Sequence, residues 1–258
     1  MSEPHLLYTL EDGVAILTLN RPHQLNALST ALLNDVGVSL DRAVAEGARC
    51  ILLKGSGRAF SSGADLVSEG GLPDDLGKLL EDHYNPLVRK IAAIPVPVVS
   101  AVQGAAAGAG CSLALVADLT VAARSAYFLL AFANIGLVPD AGATWMLAKA
   151  VGRSRAMEMA LLGEKIPAEK AANWGLIHKV VDDDALHDSA LALAKKLAAG
   201  PVLALSMIRK AINSALDSSL DEVLDSERDD QRAAGRTEDA REAIAAFGEK
   251  RKPVFKGK

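Results

Sequence analysis

The sequence predicts an α/β fold whose core fills roughly the first 200 residues, followed by a helical C-terminal part. Three observations carry this. Short runs of Val, Ile and Leu alternate with segments of helical period through the first half of the chain, the pattern of parallel strands joined by helices. Beyond about Ser154 every strong signal is helical. The 258 residues are 50% hydrophobic and 23% charged, enough apolar material for one large core.

Taken in order, HLLYTLEDGVAILTLN predicts two strands about an Asp12–Gly13 turn, because that dipeptide accepts the left-handed backbone of a tight hairpin. Ser29 is placed to cap a helix through TALLNDVGVSLDRAVAEG, with Leu32, Leu33, Val36, Leu40 and Val44 as its apolar stripe and Gly47 as its stop. CILLKGSG is a buried strand ending in glycines. A flexible acidic stretch around VSEGGLPDDLG precedes a helix through LLEDHYNPLVRKIAAI, the strand PVVSAVQG, a helix of small residues and the strand LTVAA. Helices then follow in SRAMEMALLG, in PAEKAANWG, after Asp184 and in PVLALSMIRKAINSAL. The charged stretch LDEVLDSERDDQRAAGRTEDAREA reads as one or two exposed amphipathic helices. Residues 98–117 carry no charge over 20 positions, the minimum length of a membrane span. Ala, Gly, Ser and Gln dominate them and a β-branched run opens them, so a strand and a buried helix are expected instead.

Lys+Arg 28 against Asp+Glu 32 gives a formal net charge of −4, which leaves no basic surface for nucleic acid. Cys50 and Cys111 fit neither a disulfide framework nor a zinc spacing, and the opening residues lack the pattern of a signal peptide, so a reducing cytoplasm is the expected location. The five histidines never approach HExxH spacing, and neither GxSxG nor GxxxxGK[ST] occurs. In GAAAGAGCSLA, Leu113 stands where a dinucleotide fingerprint needs its third glycine. No metal site and no bound cofactor are expected.

Two strand-to-loop junctions remain, LLKGSGRAFSSGADL and VVSAVQGAAAGAGCSLAL. Their small residues let a ligand approach the backbone, and the second opens a helix whose first N–H groups lack partners. Two such groups converging on one carbonyl oxygen would form an oxyanion hole. The same residues equally suit tight turns and close helix packing, and spacing alone leaves both open. Asp140, the one charge in IGLVPDAGATW, is similarly double-valued: it fits a helix cap after Pro139 as well as a general base.

From LNRPHQLNALS through GRAFSSGADL, VQGAAAGAGCSLALVADLTVAA, GLVPDAGATWMLAKAVGRSRAMEMALLGEKIPAEKAANWGLIHKVV and REAIAAFGEKRKPVFKG, nearly the whole chain resembles the crotonase, or enoyl-CoA hydratase/isomerase, superfamily. The resemblance implies a spiral of ββα units over residues 1–200, a helical trimerisation region over 201–258, and trimers often paired into hexamers. It implies oxyanion-hole donors at the N–H of Ala64 and Ala109. Coenzyme A, present only as part of an acyl-CoA thioester substrate, is expected along Ser62, Ala64, Asp65 and Leu66, with His23, Gln24 and Leu25 beside the thioester arm. Phe247 and Lys250 would reach it from a neighbouring subunit.

Hydratases of the family use two glutamates, and the matching positions here are Ser112 and Phe132. Neither can activate water, so Ser112 is expected to be dispensable and glutamate-pair hydration to be absent. Isomerases of the family place a carboxylate where Asp140 stands, with the subgroup that acts on ring-epoxide and Δ3/Δ2 acyl-CoA matching best in ARSAYFLLAFANIGLVPDAGATW and SERDDQRAAGRTEDAREAIAAF. Apolar neighbours Phe132, Ile135, Leu137 and Val138 would strengthen such a base, and Phe128, Phe132 and Trp145 suit either an aromatic acyl group or ordinary core, core being favoured for Trp145. The alternatives are a hydratase that recruits Asp140, a dehalogenase-like nucleophile, disfavoured because that subgroup carries tryptophan at the position of Phe132, and a non-catalytic acyl-CoA or RNA binder.

Overall fold

The computed structural model describes residues 3–66 and 72–258, so the start of the stretch expected to be flexible, 67–71, lies outside the described residues. The chain forms β1 (Leu6–Glu11), β2 (Val14–Leu19), α1 (Thr30–Ala45), β3 (Cys50–Gly55), α2 (Leu76–Leu79), α3 (Asn85–Ala93), β4 (Val98–Val102), β5 (Ala105–Ala107) and α4 (Ala109–Leu115). After these come β6 (Leu119–Ala123), β7 (Tyr127–Leu129), α5 (Ala143–Leu162), β8 (Ile166–Pro167), α6 (Ala168–Asn173), β9 (Lys179–Val181) and α7 (Leu186–Ala198). The chain closes with α8 (Val202–Ala215), α9 (Leu220–Ala234) and α10 (Glu238–Gly248). A π-helical stretch, Leu80–Tyr84, joins α2 to α3.

A six-stranded sheet has the order β1-β2-β3-β4-β6-β9, and a three-stranded sheet the order β5-β7-β8. Only the β1–β2 hairpin is antiparallel in the large sheet, closing Glu11 against Val14 over an Asp12–Gly13 turn with positive φ at both residues. The parallel strands are covered on both faces, and β2 is buried at all six positions. Successive units run from a large-sheet strand to a short small-sheet strand and then a helix, as in β4–β5–α4, which is the ββα spiral the family resemblance implied.

Ser29 accepts a hydrogen bond from the Leu32 N–H at the start of α1. Of the expected stripe on α1, Val44 faces outward at 40% exposure and Ala43 takes the buried position. Two expectations are corrected. The sequence after Ser154 is not all helix, since β8 and β9 add a strand to each sheet, and β5 intervenes between β4 and α4. These strands have two or three residues, too few to show a two-residue period, and β5 is Ala-Ala-Ala, which has no strand propensity. The uncharged run 98–117 is divided among β4, β5 and α4, and no single described helix is long and apolar enough to cross a membrane.

The helical C-terminal part is tied to the core by two arginines. Arg209 on α8 donates to both carboxylate oxygens of Asp118 at 2.6 and 2.7 Å and to the carbonyls of Ala92 and Ile94, closing the end of α3. Arg49 donates to the carbonyls of Ala198, Gly200 and Phe255, so the chain end lies against the start of β3.

Candidate active site

Two loops that follow large-sheet strands come together backbone to backbone. The first descends from β3 through Ser61, Ser62, Gly63 and Ala64. Asn26, fully buried, donates to the carbonyls of Ser56 and Ala59 and receives the hydroxyl of Ser61 on its own carbonyl at 2.8 Å. Arg21 pairs with Asp65 at 2.6 Å, and both side chains are shielded from solvent. The segment before α1 is therefore fastened to this loop at several points along its length.

The second loop leads from β5 into α4. A Cβ on Gly63 would meet the Ala107 carbonyl oxygen at 2.8 Å and approach the Ala109 nitrogen to 3.5 Å, and a Cβ on Gly110 would strike the Ser61 side chain at 2.6 Å. Glycine at both positions is what allows the contact. Among the described residues neither the N–H of Ala64 nor that of Ala109 has a hydrogen-bond partner. Ala109 is the first residue of α4, where an unpartnered N–H is intrinsic to the helix and lies at its positive end. Free donors on two touching loops are what stabilisation of an oxyanion requires.

Asp140 sits where the turn before α5 meets α4. The hydroxyl of Ser112, three residues into α4 from Ala109, donates to the Asp140 carbonyl at 3.1 Å. The Asp140 Oδ1 is buried without a hydrogen-bond partner among the described residues. Burial pushes its pKa up to about 6, partly offset by its own backbone N–H. A carboxylate in that range is ionised at neutral pH yet basic enough to take a proton from carbon. Asp140 does not cap α5 with its side chain; the cap is Gly142, and the Asp140 carbonyl accepts from Ala143 N–H. Nor do all the expected apolar neighbours shield it: Phe132 is buried and Leu137 packs on the core, but Ile135 and Val138 face solvent. Ile135 ends a short 3-10 helix, Ala133–Ile135, and Val138 lies in the irregular stretch before Pro139, so no sustained helical period fixes which side chains point inward.

The other expected site residues fall in three groups. His23, Gln24 and Leu25 border Ser62, whose N–H donates to the Leu25 carbonyl at 2.9 Å and whose hydroxyl donates to that of Gln24 at 3.4 Å. Ala64, Asp65 and Leu66 continue from Ser62, but the Asp65 carboxylate is turned to Arg21 and the residue is buried, its N–H donating to the Leu28 carbonyl at 3.3 Å. Phe247 and Lys250 lie at the end of α10, where Phe247 is 88% exposed. Phe128 is fully buried core, while Trp145, expected in the core, is 44% exposed and lines a cleft of about 980 Å³ with Val88, Leu115, Met146 and Ile212. That cleft is lined by residues of α3, α5 and α8 and by Gly142, and by none of residues 61–66 or 107–110. Phe132 packs its ring against Gly108, just before Ala109. Arg21 and Asn26 were not singled out in sequence; the opposite charges of Arg21 and Asp65 are a faint signal across 44 residues of chain.

Comparison with known proteins decides the family. A model of the enoyl-CoA hydratase/isomerase family matches residues 9–258. The chain belongs to this family. It is 48% identical to the 1,2-epoxyphenylacetyl-CoA isomerase of Escherichia coli (strain K12), with 98% of each chain covered. It is also 38% identical to the 2,3-dehydroadipyl-CoA hydratase of the same organism, over the full length of both. The crystal structure of an enoyl-CoA hydratase from Bacillus anthracis superposes with a TM-score of 0.94 at 30% identity, covering 99% of this chain and 100% of that one. Family membership makes the protein an acyl-CoA isomerase or hydratase, and relatives of both kinds stand at comparable length.

Proposed function

We propose that the protein is an acyl-CoA isomerase in which Asp140 moves a proton between two carbons of a thioester-activated substrate. The observation that carries this is the buried Asp140 carboxylate, with a raised pKa, beside α4 where Ser112 and Phe132 stand in place of the two hydratase glutamates. Asp140 removes a proton from the α-carbon, the N–H groups of Ala64 and Ala109 hold the enolate oxygen, and the protonated Asp140 returns the proton at another carbon. Returned at the γ-carbon, the proton completes a double-bond shift, and the relative named an epoxyphenylacetyl-CoA isomerase points to a ring epoxide as a second substrate class for the same α-proton abstraction. No water is consumed, so no second acid or base is needed.

In this reading Ser62, Leu66 and the backbone of Asp65 lie along coenzyme A, with His23, Gln24 and Leu25 at the thioester arm. Phe247 and Lys250 complete the site from a neighbouring copy in a trimer or paired trimers. Exposed Ile208 and Ile212 on α8, Leu216 just after it, and Leu220 and Leu224 on α9 support such an assembly, because large apolar side chains left uncovered at helical spacing suit an interface. The second reading, a hydratase, has the dehydroadipyl-CoA relative in its favour. Purified protein offered crotonyl-CoA and 3-hexenoyl-CoA separates them. Isomerisation of 3-hexenoyl-CoA without hydration of crotonyl-CoA is expected, and rapid hydration would overturn the proposal.

A further inference from the structure

We infer that Ser112 is a positioning residue for Asp140, holding the base through its main chain; this rests on the isomerase reading above. Ser112 is fully buried, and its hydroxyl is spent on the Asp140 carbonyl at 3.1 Å. The same carbonyl accepts the Ala143 N–H at 3.0 Å from the other side. Two donors on one carbonyl fix the peptide plane between residues 140 and 141, and with it the direction in which the Asp140 side chain leaves the backbone.

The turn needs holding. Ala141, buried, has φ +49° and Gly142 has φ +83°. A left-handed backbone is disfavoured for alanine and not for glycine, so the Asp140–Ala141 segment is strained beside the proposed reacting group. The Ser112 hydroxyl opposes relaxation of that strain. It does so without charge. A carboxylate at position 112 would lie against the turn that carries Asp140, and two like charges there would force one of them to take up a proton. The serine therefore does more than fill the place of a missing hydratase acid: it anchors the remaining base and leaves that base as the one ionisable group of the pair. This replaces the expectation that Ser112 is dispensable.

The test is steady-state isomerisation of 3-hexenoyl-CoA by Ser112→Ala across pH 5 to 9. A carboxylate displaced by even part of an ångström loses rate while substrate binding persists, so kcat is expected to fall about 5- to 50-fold with KM within about twofold. The acid limb of kcat/KM should move to lower pH as the loosened carboxylate meets more water, since burial is what raises it now. The double variant Ser112→Ala/Ala141→Gly should recover several-fold of the lost kcat, because glycine holds the left-handed turn without the anchor. A Ser112→Ala enzyme with kcat and acid limb as in the wild type overturns the inference, and so does one whose KM rises while kcat stays constant. Should Ser112→Ala not fold, Ser112→Cys keeps the volume with a weaker donor and is expected to show the same split at smaller amplitude. Wild-type behaviour of a folded Ser112→Cys overturns the inference equally. Asp140→Asn run alongside separates the two claims: undiminished turnover there removes the base itself, whereas its loss beside an unaffected Ser112→Ala removes only the positioning role.

Discussion

Arg21 and Asp65 form a shielded ion pair at 2.6 Å that fastens the segment before α1 to the loop carrying Ala64. Arg21 also donates to the Ala27 carbonyl, and its own N–H is received by the buried Asn26 side chain. Cutting one partner strands a charge in a place without water. Asp65→Ala is expected to destabilise the fold by about 3–5 kcal/mol, read from denaturant unfolding. Were Asp65 a coenzyme A ligand through its side chain, stability would hold and only KM would rise.

Asp140 has the opposite energetic character. Its folded pKa of about 6 lies above the unfolded value, so the native state binds the proton more tightly. Stability from this group is present at acid pH, declines as pH rises from about 4 to 6, and stays lost above that range. Asp140→Asn, which has no charge to bury, is expected to be more stable than the wild type by about 1–2 kcal/mol at pH 8, after allowance for partial exposure, and no more stable near pH 4. Thermal melts of both proteins at the two pH values check this. In activity the sign reverses, and wild-type kcat/KM should rise with pH through about 6 as the base ionises.

The donor at Ala109 is a backbone group, so side-chain changes that keep it should be mild. Ala109→Gly is expected to retain kcat within about threefold. Proline is tolerated at the first residue of a helix, where no helical hydrogen bond is lost, yet it deletes the N–H. Ala109→Pro is expected to fold and to lose kcat by about 10²- to 10³-fold, measured on 3-hexenoyl-CoA.

The apolar faces of α8 and α9 and the exposed Phe247 bear on assembly. Sedimentation equilibrium is expected to give three or six times the 26.9 kDa chain mass. Ile212→Glu, which places a charge on the α8 face, is expected to lower that mass and raise KM together, since Phe247 and Lys250 would then be lost from the neighbouring site. A monomeric wild type with full activity would remove both residues from the site.

Much of this molecule was legible in sequence, for reasons that particular residues make plain. The hairpin at Asp12–Gly13, the Ser29 cap and the stripe of Leu32, Leu33, Val36 and Leu40 follow from local backbone and periodicity, and the structure keeps them. The very short strands β5, β8 and β9 escaped because they are created by pairing partners elsewhere in the chain: Ala105–Ala107 is a strand only because Tyr127–Leu129 lies beside it. Within the site, ordered motifs pointed to Ala64, Ala109 and Asp140. The Ser112–Asp140 bond was not legible and the Arg21–Asp65 pair only faintly so, since each depends on segments distant in sequence meeting in space. The outward turn of Val138 and Trp145 was missed because a sequence gives no sign of which apolar surfaces a single chain leaves uncovered.

The most direct test of the central claim is isotope exchange with 3-hexenoyl-CoA in D2O, following deuterium at the α- and γ-carbons for wild type and Asp140→Asn. The wild type is expected to exchange at the α-carbon and to form product with solvent hydrogen at the γ-carbon, while Asp140→Asn binds the thioester and does neither. Exchange at wild-type rates in Asp140→Asn would contradict Asp140 as the group that moves the proton.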